Sequence, residues 1–415
     1  MHRSRIQIAL VILASLCESC ATTKVVATNA QRVYNGQPVD QQAISQAIAS
    51  DTKDIGAELQ VMRKKFAEAL TLLKSNVQKR WGEKDTKVAD RTMYVKYTQG
   101  YKSRVVTDFD HGTFTVETVD EQNARASLKA ALISALLTTN DPAAVDLFTD
   151  KDVDIDTKRR PYLYGLVLDN HGKSVRTREQ ADAFAEYLVA NKIQSRQIKS
   201  DQGEKTTQFV TLIMVKNFEA KGADRYRASV DKFSAQYNVS PSLVLAVIRT
   251  ESNFNPFAVS GAPAYGLMQL VPTSGGRAAL KRVQGVDQTP TPEFLLDPEH
   301  NIELGSAYLG MLNTIDFQAI NDPQSRDYCV IAAYNTGARN VTRTFSNDKA
   351  TALASINALP PSGVYDRLRT DLPYEETRHY VVTVSGYRKQ FVVSSAAPAA
   401  TGAPAAPSAP AAVTK

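Results

Sequence analysis

The pattern of apolar positions predicts one long helix followed by strands. From Ile44, apolar side chains recur at every third or fourth position, which is the period of an amphipathic helix. The stripe comprises Ile55, Leu59, Met62, Phe66, Leu70, Leu73, Val77 and Trp81. The period then shortens to two, as in half-buried strands, at residues 93–98, 104–109 and 113–119. Asp110-His111-Gly112 predicts a hairpin turn between the second and third strands.

Helical and extended patterns alternate after the third strand. Residues 124–137 and 178–191 have helical spacing, whereas residues 162–168 and 208–215 have the pattern of strands. Runs of strands and helices in this order are typical of helices packed on an antiparallel sheet. We therefore predict an N-terminal α+β domain at residues 41–218.

Candidate chemistry in this first domain is sparse. Tyr94, Tyr97 and Tyr101 would either pack within the sheet or stack on sugar rings, and we expect them to pack. His111 and His171 each lie beside a glycine in a predicted turn, which favours solvated histidines over catalytic ones. The pattern of this domain indicates a scaffold rather than a catalytic centre.

A second, mainly helical domain is predicted at residues 219–392. Its first apolar stripe comprises Tyr226, Val230, Phe233 and Tyr237. Ser240-Pro241 is typical of a helix start, because serine is a favoured N-cap and proline fits the first helical position. Residues 243–248 are all apolar, so we expect this helix to be buried. The predicted fold class is thus α+β overall, with a mainly α second domain.

Composition and charge exclude several classes of protein. The 415 residues are 43% apolar and 22% charged, as in soluble globular proteins. The net charge of +6 comes from 49 basic and 43 acidic residues, a mixture unlike a nucleic-acid-binding surface. Three cysteines exclude a disulfide-rich scaffold, and the five histidines lack zinc-ligand spacing. We expect no nucleic-acid partner, no metal and no cofactor.

Residues 1–19 have the pattern of a signal peptide. His2, Arg3 and Arg5 form a basic start, and residues 6–16 form an apolar run. A run of this length is too short to cross a bilayer and suits the core of an export signal.

The end of this segment resembles a bacterial lipoprotein cleavage site. Ser19 directly precedes Cys20, so Cys20 is the predicted lipidated N-terminus of the mature chain, with residues 20–40 as its linker. An ordinary secretory signal is the alternative interpretation. Ala21 occupies the position at which Asp would indicate retention in the inner membrane. We therefore predict an outer-membrane lipoprotein that faces the periplasm.

The third cysteine and the C-terminal end complete this outline. Cys329 lies in an apolar run, which predicts a small buried side chain rather than a reactive thiol. Of the last 22 residues, 14 are Ala or Pro. Such a segment offers no large apolar side chains to offset the entropy of ordering, so residues 393–415 are predicted to be a disordered tail.

Glu251 is the most informative residue of the chain. It follows the apolar run 243–248 and shares its helix face with Val244, Val247 and Ile248. Partial desolvation at such a position raises the pKa of a carboxyl group. Between Asp231 and Asp287 no other acidic residue occurs. A protonated carboxylic acid is what a general acid acting on a glycosidic oxygen requires, although a solvent-exposed glutamate at a helix end fits this local pattern equally well.

Four motifs, in order, resolve that ambiguity. They resemble the successive motifs of the catalytic domains of soluble lytic transglycosylases, which have a lysozyme-like helical fold. The motifs are Glu251-Ser252-x-Phe254-Asn255-Pro256-x-Ala258-Val259-Ser260, then Gly266-Leu267-Met268-Gln269, then Ala333-Tyr334-Asn335-x-Gly337, and finally Tyr380. The first domain resembles the N-terminal domain of the membrane-bound lytic murein transglycosylase C family. This second resemblance is carried by Trp81-Gly82, Tyr94-Val95-Lys96-Tyr97-Thr98, Asp110-His111-Gly112, Asp141-Pro142 with Val145-Asp146-Leu147, and Cys20-x-Thr22-Thr23-Lys24.

The resemblance implies an enzyme that cleaves peptidoglycan glycan strands. The implied reaction breaks the β-1,4 bond between N-acetylmuramic acid and N-acetylglucosamine and leaves a 1,6-anhydromuramoyl end. Glu251 matches the family's catalytic acid and base, and Tyr380 matches a tyrosine that hydrogen-bonds the catalytic carboxylate. The positions that match substrate-groove residues are Ser252, Met268, Gln269, Tyr334 and Asn335.

Two other functions remain open at the level of sequence. A lysozyme-type hydrolase would use water, and it needs a second carboxylate that the sequence around Glu251 does not supply. A peptidoglycan-binding lipoprotein without activity could use the same scaffold. The partners expected in each case are peptidoglycan and, through the lipid, a membrane.

Overall fold

The computed structural model describes Val25, Thr28 and residues 41–156, 158–261 and 263–396. The predicted signal peptide, Cys20 and the Ala/Pro-rich segment after residue 396 lie outside the described residues. Within the described ranges, none of the helices combines the length and hydropathy that crossing a bilayer requires.

The N-terminal region is α+β, as predicted. Its elements are α1 (Gln41–Trp81), β1 (Met93–Thr98), β2 (Ser103–Asp108), β3 (Thr113–Thr118), α2 (Ala124–Leu137), α3 (Arg178–Asn191), β4 (Gln194–Ser200) and β5 (Gly203–Ile213). The strands form one antiparallel sheet in the order β1-β2-β3-β5-β4. One face of the sheet carries α2, with α3 packed on α2, and the other face is covered by the end of α1.

The tyrosines of the first strand pack inside the domain. Tyr94 and Tyr97 are each only 1% exposed, and they lie on opposite faces of the sheet. Tyr101 packs partly buried beside Tyr97. The prediction of packing is confirmed, and stacking of these rings on sugars is excluded by burial for Tyr94 and Tyr97. His111 is exposed and its ring hydrogen-bonds Asp108.

One predicted strand is absent from the structure, and one observed strand was not predicted. Residues 162–168 form turns and isolated bridges instead of a strand. Tyr162, Leu163, Leu166 and Val167 are all buried without alternation, and Gly165 adopts a left-handed conformation with φ of 78° that breaks an extended path. The strand β4 was not predicted, because in this edge strand only Ile198 among its seven residues is apolar.

The second region is mainly α, as predicted. Its helices are α4 (Phe218–Tyr237), α5 (Pro241–Ser252), α6 (Arg277–Gln284), α7 (Pro292–Leu296), α8 (Pro298–Met311), α9 (Pro323–Thr336), α10 (Ala338–Phe345), α11 (Lys349–Asn357), α12 (Pro361–Thr370) and α13 (Glu375–Ala396). The apolar helix that carries Glu251 is α5, and it packs against α13, α4 and α8. Helix α13 reaches Ala396, four residues into the segment predicted as the tail.

Cys329 is a buried free cysteine on α9, as predicted. Burial in the apolar core raises the pKa of its thiol, which disfavours the reactive thiolate. This side chain therefore serves as a small apolar packing residue.

The two regions meet at a hydrogen-bonded seam directly behind Glu251. The side-chain amide of Asn253 donates to the carbonyl of Phe109 at 2.7 Å, and that of Asn255 donates to the carbonyl of Arg91 at 3.1 Å. Phe257 stacks against Tyr94, with ring centroids 4.4 Å apart. One apolar core continues from the sheet across this seam into the second region. The turn after Glu251 is thus fixed by contacts with the N-terminal region.

Candidate active site

A cavity of about 680 Å³ opens between the seam and the ends of several helices. Its wall combines the turn before β1, the end of α5, residues 260–261 and 264–275, part of α8, the end of α9 and the start of α13. Most of the lining side chains are polar or aromatic. They include Arg91, Glu251, Ser260, Gln269, Tyr308, Tyr334, Asn335, Tyr374, Glu376 and Thr377.

Glu251 lies in the last turn of α5 at the wall of this cavity. The residue is only 7% exposed, and the neighbouring Val244, Val247 and Ile248 on the same helix are fully buried. Burial raises the pKa of the carboxyl group to about 7, because the charged form loses its hydration. A carboxyl group with this pKa can donate a proton near neutral pH and accept it back afterwards.

Three ionisable neighbours adjust this pKa further. Tyr380 and Arg91 lower it, and Glu376 raises it. The Arg91 guanidinium lies 3.8 Å from a carboxylate oxygen of Glu251, measured from Nη1 to Oε2. Tyr380 is buried beside Glu251, and its hydroxyl forms no hydrogen bond of standard geometry with the described residues. The carboxyl group therefore has close neighbours but no tight ion pair.

The backbone around the site is strained. Asn253 and Phe254, directly after α5, have φ of 44° and 64°, and Gln269 has φ of 47°. Residues other than glycine rarely adopt this left-handed conformation, because the β-carbon approaches the backbone. The seam contacts of Asn253 and Asn255 hold the chain there. Such strain is common at functional sites, where the surrounding structure fixes the geometry.

Buried polar contacts tie the segment 266–270 to α5 and α8. Ser252 is fully buried, and its hydroxyl lies 2.8 Å from the carbonyl of Leu267. The backbone N–H of Met268 donates to the side-chain oxygen of the buried Asn301 at 2.7 Å. A β-carbon on Gly266 would lie 2.3 Å from a backbone carbonyl, so this position requires glycine.

Gln269 lines the cavity through its side chain. Its amide nitrogen donates to the carbonyls of Ala258 and Gly266 at 3.1 and 2.9 Å. Its amide oxygen is buried without a hydrogen-bond partner among the described residues. Because this oxygen is shielded from solvent, a sugar hydroxyl group would reach it only after the side chain moves.

Tyr334 and Asn335 form the facing wall at the end of α9. The Tyr334 hydroxyl donates to the carbonyl of Met268 at 2.8 Å, and its ring lies 5.5 Å from that of Tyr308. The side-chain oxygen of Asn335 accepts from the hydroxyl of Thr377 at 2.6 Å. The two motifs are thus joined across the cavity, and α13 is held against them. No group of three or more metal-ligating side chains occurs among the described residues.

Family models match most of the described chain, from residue 59 to residue 357. The model of the membrane-bound lytic murein transglycosylase C N-terminal domain matches residues 59–225, and that of the transglycosylase SLT domain matches residues 229–357. The membrane-bound lytic murein transglycosylase C of Shigella sonnei (strain Ss046) is 40% identical over 384 residues, which cover 92% of this chain and 98% of the relative. The chain belongs to the membrane-bound lytic murein transglycosylase C family.

Two solved structures share lower similarity with this member of the transglycosylase C family. An inactive mutant of the lytic transglycosylase Slt of Pseudomonas aeruginosa is 27% identical, with a TM-score of 0.32 over 42% of this chain. The 70 kDa soluble lytic transglycosylase SLT70 of Escherichia coli is 25% identical, with a TM-score of 0.32 over 41% of this chain. The aligned parts are 25% and 24% of those proteins, so this chain spans about a quarter of their length.

The site residues predicted from sequence fall into two layers in this family member. Glu251, Gln269, Tyr334 and Asn335 line the cavity. Ser252, Met268 and Tyr380 are buried in the layer behind it and are not among the lining residues.

Three residues of the cavity in this transglycosylase C family member were not predicted from the sequence as site residues: Arg91, Glu376 and Thr377. All three line the cavity with Glu251, but they lie 125 or more residues away from it in sequence. Arg91 belongs to a domain that showed no catalytic pattern. Glu376 was a weak signal, because it lies four residues before Tyr380, which a motif had already marked.

Proposed function

We propose that this protein cleaves the β-1,4 bond between N-acetylmuramic acid and N-acetylglucosamine in peptidoglycan, with Glu251 as general acid and then general base. The protein is a lytic transglycosylase, as its family membership and its SLT domain show. The observation that carries the role of Glu251 is its burial at the cavity wall, which raises its pKa to about 7. A carboxyl group in this state can perform both proton transfers near neutral pH.

The proposed reaction consumes no water. The Glu251 carboxyl gives its proton to the glycosidic oxygen, the C1–O4 bond breaks, and its electron pair stays on the leaving N-acetylglucosamine oxygen. The positive centre at C1 is stabilised by the muramoyl N-acetyl group. The C6 hydroxyl oxygen of the same muramoyl residue then bonds to C1, and its proton passes to the Glu251 carboxylate. The products are a free 4-hydroxyl and a 1,6-anhydromuramoyl end, and Glu251 is protonated again.

Polar groups around the cavity support the binding of glycan. Gln269 and Asn335 line the cavity, and their side-chain amides are uncharged groups suited to sugar hydroxyls and N-acetyl groups. Tyr308, Tyr334 and Tyr374 offer aromatic surface along the same wall. We assign Gln269, Tyr334 and Asn335 to direct substrate contact. Ser252, Met268 and Tyr380 act from the buried layer by fixing the wall and Glu251.

A hydrolase is the second candidate, because Glu376 brings another carboxyl group to the cavity. In a hydrolase this group would activate water or act as the nucleophile. Mass spectrometry of digested peptidoglycan separates the two reactions, since an anhydro end is about 18 Da lighter than a hydrolysed end. We expect anhydro products from the wild type and from Glu376→Gln. Reducing ends in their place would establish the hydrolase.

The variant Glu251→Gln tests the catalytic role itself. Loss of a general acid and base lowers turnover by about 10² to 10⁴-fold, whereas glycan binding should persist because the amide has the same shape. Glu299→Gln, an exposed glutamate on α8, is the matched control and should retain activity. Equal product release by Glu251→Gln and wild type would overturn the proposal. Binding without turnover in both proteins would identify a non-catalytic binder.

We further propose that a lipid on Cys20 anchors the protein to the outer membrane, facing the periplasm. The membrane-bound relative and the cleavage-site pattern at Ser19-Cys20 support an anchor, and Ala21 supports the outer membrane. Labelled palmitate should enter the wild type but not Cys20→Ala, and the label should fractionate with outer membranes. Retention of label in Cys20→Ala would contradict the anchor.

A further inference from the structure

The N-terminal domain reaches into the active site through one side chain. Arg91 lies in the turn before β1, and its guanidinium approaches the Glu251 carboxyl to 3.8 Å across the seam. Its side chain is 47% exposed, and it lines the cavity together with Glu251. A residue from the predicted scaffold domain is therefore the cation next to the proposed catalytic acid.

Hydrogen bonds within the turn and across the seam fix the backbone around Arg91. The Asp90 carboxylate accepts hydrogen bonds from the N–H groups of Thr92 and Met93 at 2.9 and 2.7 Å. The carbonyl of Arg91 itself accepts from the Asn255 amide at 3.1 Å. Asn255 is four residues from Glu251, so the same turn of chain that ends the catalytic helix also sets the position of Arg91. These bonds fix the backbone from which the half-exposed Arg91 side chain extends toward Glu251.

We propose that Arg91 is a positioning residue of the active site, and that the N-terminal domain thereby supplies the positive charge that stabilises the Glu251 carboxylate between the two proton transfers. This inference rests on the proposed role of Glu251. It assigns the N-terminal domain a part in catalysis in addition to its part in the seam.

Among the described groups that act on the pKa of Glu251, only Arg91 can supply a positive charge. Glu376 and Tyr380 on α13 and Tyr334 on α9 are the further ionisable groups that interact with it. None of these three can carry a positive charge, and Glu376 opposes the formation of a carboxylate. At 3.8 Å, outside hydrogen-bond range, the guanidinium favours the carboxylate electrostatically without occupying the oxygen that must hold the proton.

The pH dependence of the reaction tests this role. The wild-type full chain should lose kcat/KM as pH rises through the pKa of Glu251, because the first step needs the protonated acid. Without the cation that pKa rises, so in Arg91→Gln the midpoint of this loss should move up by about one pH unit, while kcat falls. Arg91→Lys should keep the wild-type midpoint. Arg176→Gln, an exposed arginine of the same domain, should leave both midpoint and kcat unchanged.

Two further measurements separate the outcomes. Arg91→Met keeps the aliphatic stem, so it should reproduce the shifted midpoint even if Arg91→Gln folds poorly, and circular dichroism checks both folds. Carbon-13 NMR of labelled glutamate, assigned with Glu251→Gln, should show the same upward movement directly. An unmoved midpoint in both variants, together with an inactive Glu251→Gln, overturns this inference alone. Full activity of Glu251→Gln overturns the proposed function as well.

Discussion

The two regions of the protein treat their buried charges in opposite ways. In the N-terminal domain, the fully buried Arg104 donates to Glu117 at 2.6 Å and stacks on Trp81 at 3.9 Å. Glu117 accepts a second hydrogen bond from Arg196 at 3.2 Å. In the catalytic domain, Glu251 has a single arginine at 3.8 Å and a raised pKa. Similar burial thus accompanies a hydrogen-bonded ion pair in one case and a counter-charge outside hydrogen-bond range in the other.

The difference separates a structural charge from a reactive one. In a buried ion pair, the attraction and hydrogen bonds between the two charges offset the cost of removing them from water, so the pair orders the packing around it. A buried carboxyl with few partners changes its protonation near neutral pH, at a cost to the stability of the fold. The following variants test this contrast in order of expected effect.

The largest effect is expected from Glu117→Gln in the N-terminal domain. This change leaves the buried Arg104 without its counter-charge, and breaking a buried pair in this way costs about 3 to 5 kcal/mol of the free energy of unfolding. Urea denaturation measures the loss. Lys232→Gln, which breaks an exposed ion pair with Glu299, is the matched control and should cost at most about 1 kcal/mol. A loss below 1 kcal/mol for Glu117→Gln would show that its charge is not needed.

Glu251→Gln should raise the free energy of unfolding, whereas Glu117→Gln should lower it. The size of this increase should depend on pH. Because the folded pKa of about 7 lies above the unfolded value of 4.5, the contribution of Glu251 to wild-type stability is most favourable below pH 4.5 and is lost as pH rises through 7. The amide does not ionise, so relative to wild type the variant should gain about 2 to 3 kcal/mol between pH 5 and pH 8. Urea midpoints across this range provide the measurement. A constant difference between the two proteins would mean that the carboxyl titrates normally in the fold.

The smallest effect concerns the seam that joins the two regions. Asn253→Ala and Asn253→Gly remove the same hydrogen bond to Phe109, but only the alanine variant places a β-carbon in the left-handed conformation at φ of 44°. We expect the alanine variant to be less stable than the glycine variant by about 1 kcal/mol. Thermal unfolding of the pair measures this difference. Equal stability would indicate that the turn relaxes when the seam contact is lost.

Much of the fold could be predicted because its signals are local. The helical stripe ending at Trp81 follows from apolar side chains packing on one side of a helix. Strands β1 to β3 are buried on both faces of the sheet, and their signal is a run of β-branched and aromatic residues bounded by turn residues. The polar β4 is held by backbone pairing with β5, so its side chains carry no such pattern. Residues 162–168 are apolar because they are buried, and burial alone does not make a strand.

The residues of the site likewise differ in whether a local sequence signal marks them. Glu251 could be predicted because it follows an apolar run within one helix and begins a recognisable motif. Its neighbours Arg91 and Glu376 come from a turn and a helix far away in the chain, and they meet it only through the packing of separate elements. No spacing rule connects such positions. The position of Arg91 beside Glu251 therefore follows only from the three-dimensional structure.

The seam also determines which kinds of sequence change the protein can accept. Both asparagine amides that cross it donate to main-chain carbonyls, those of Phe109 and Arg91. A carbonyl is present whatever side chain the residue carries, so these two bonds specify the path of the backbone rather than the identity of the acceptor residue. Substitutions at the acceptor positions can preserve the junction. Insertion or deletion of a single residue in either turn would move the carbonyl out of reach and separate the cation from the acid.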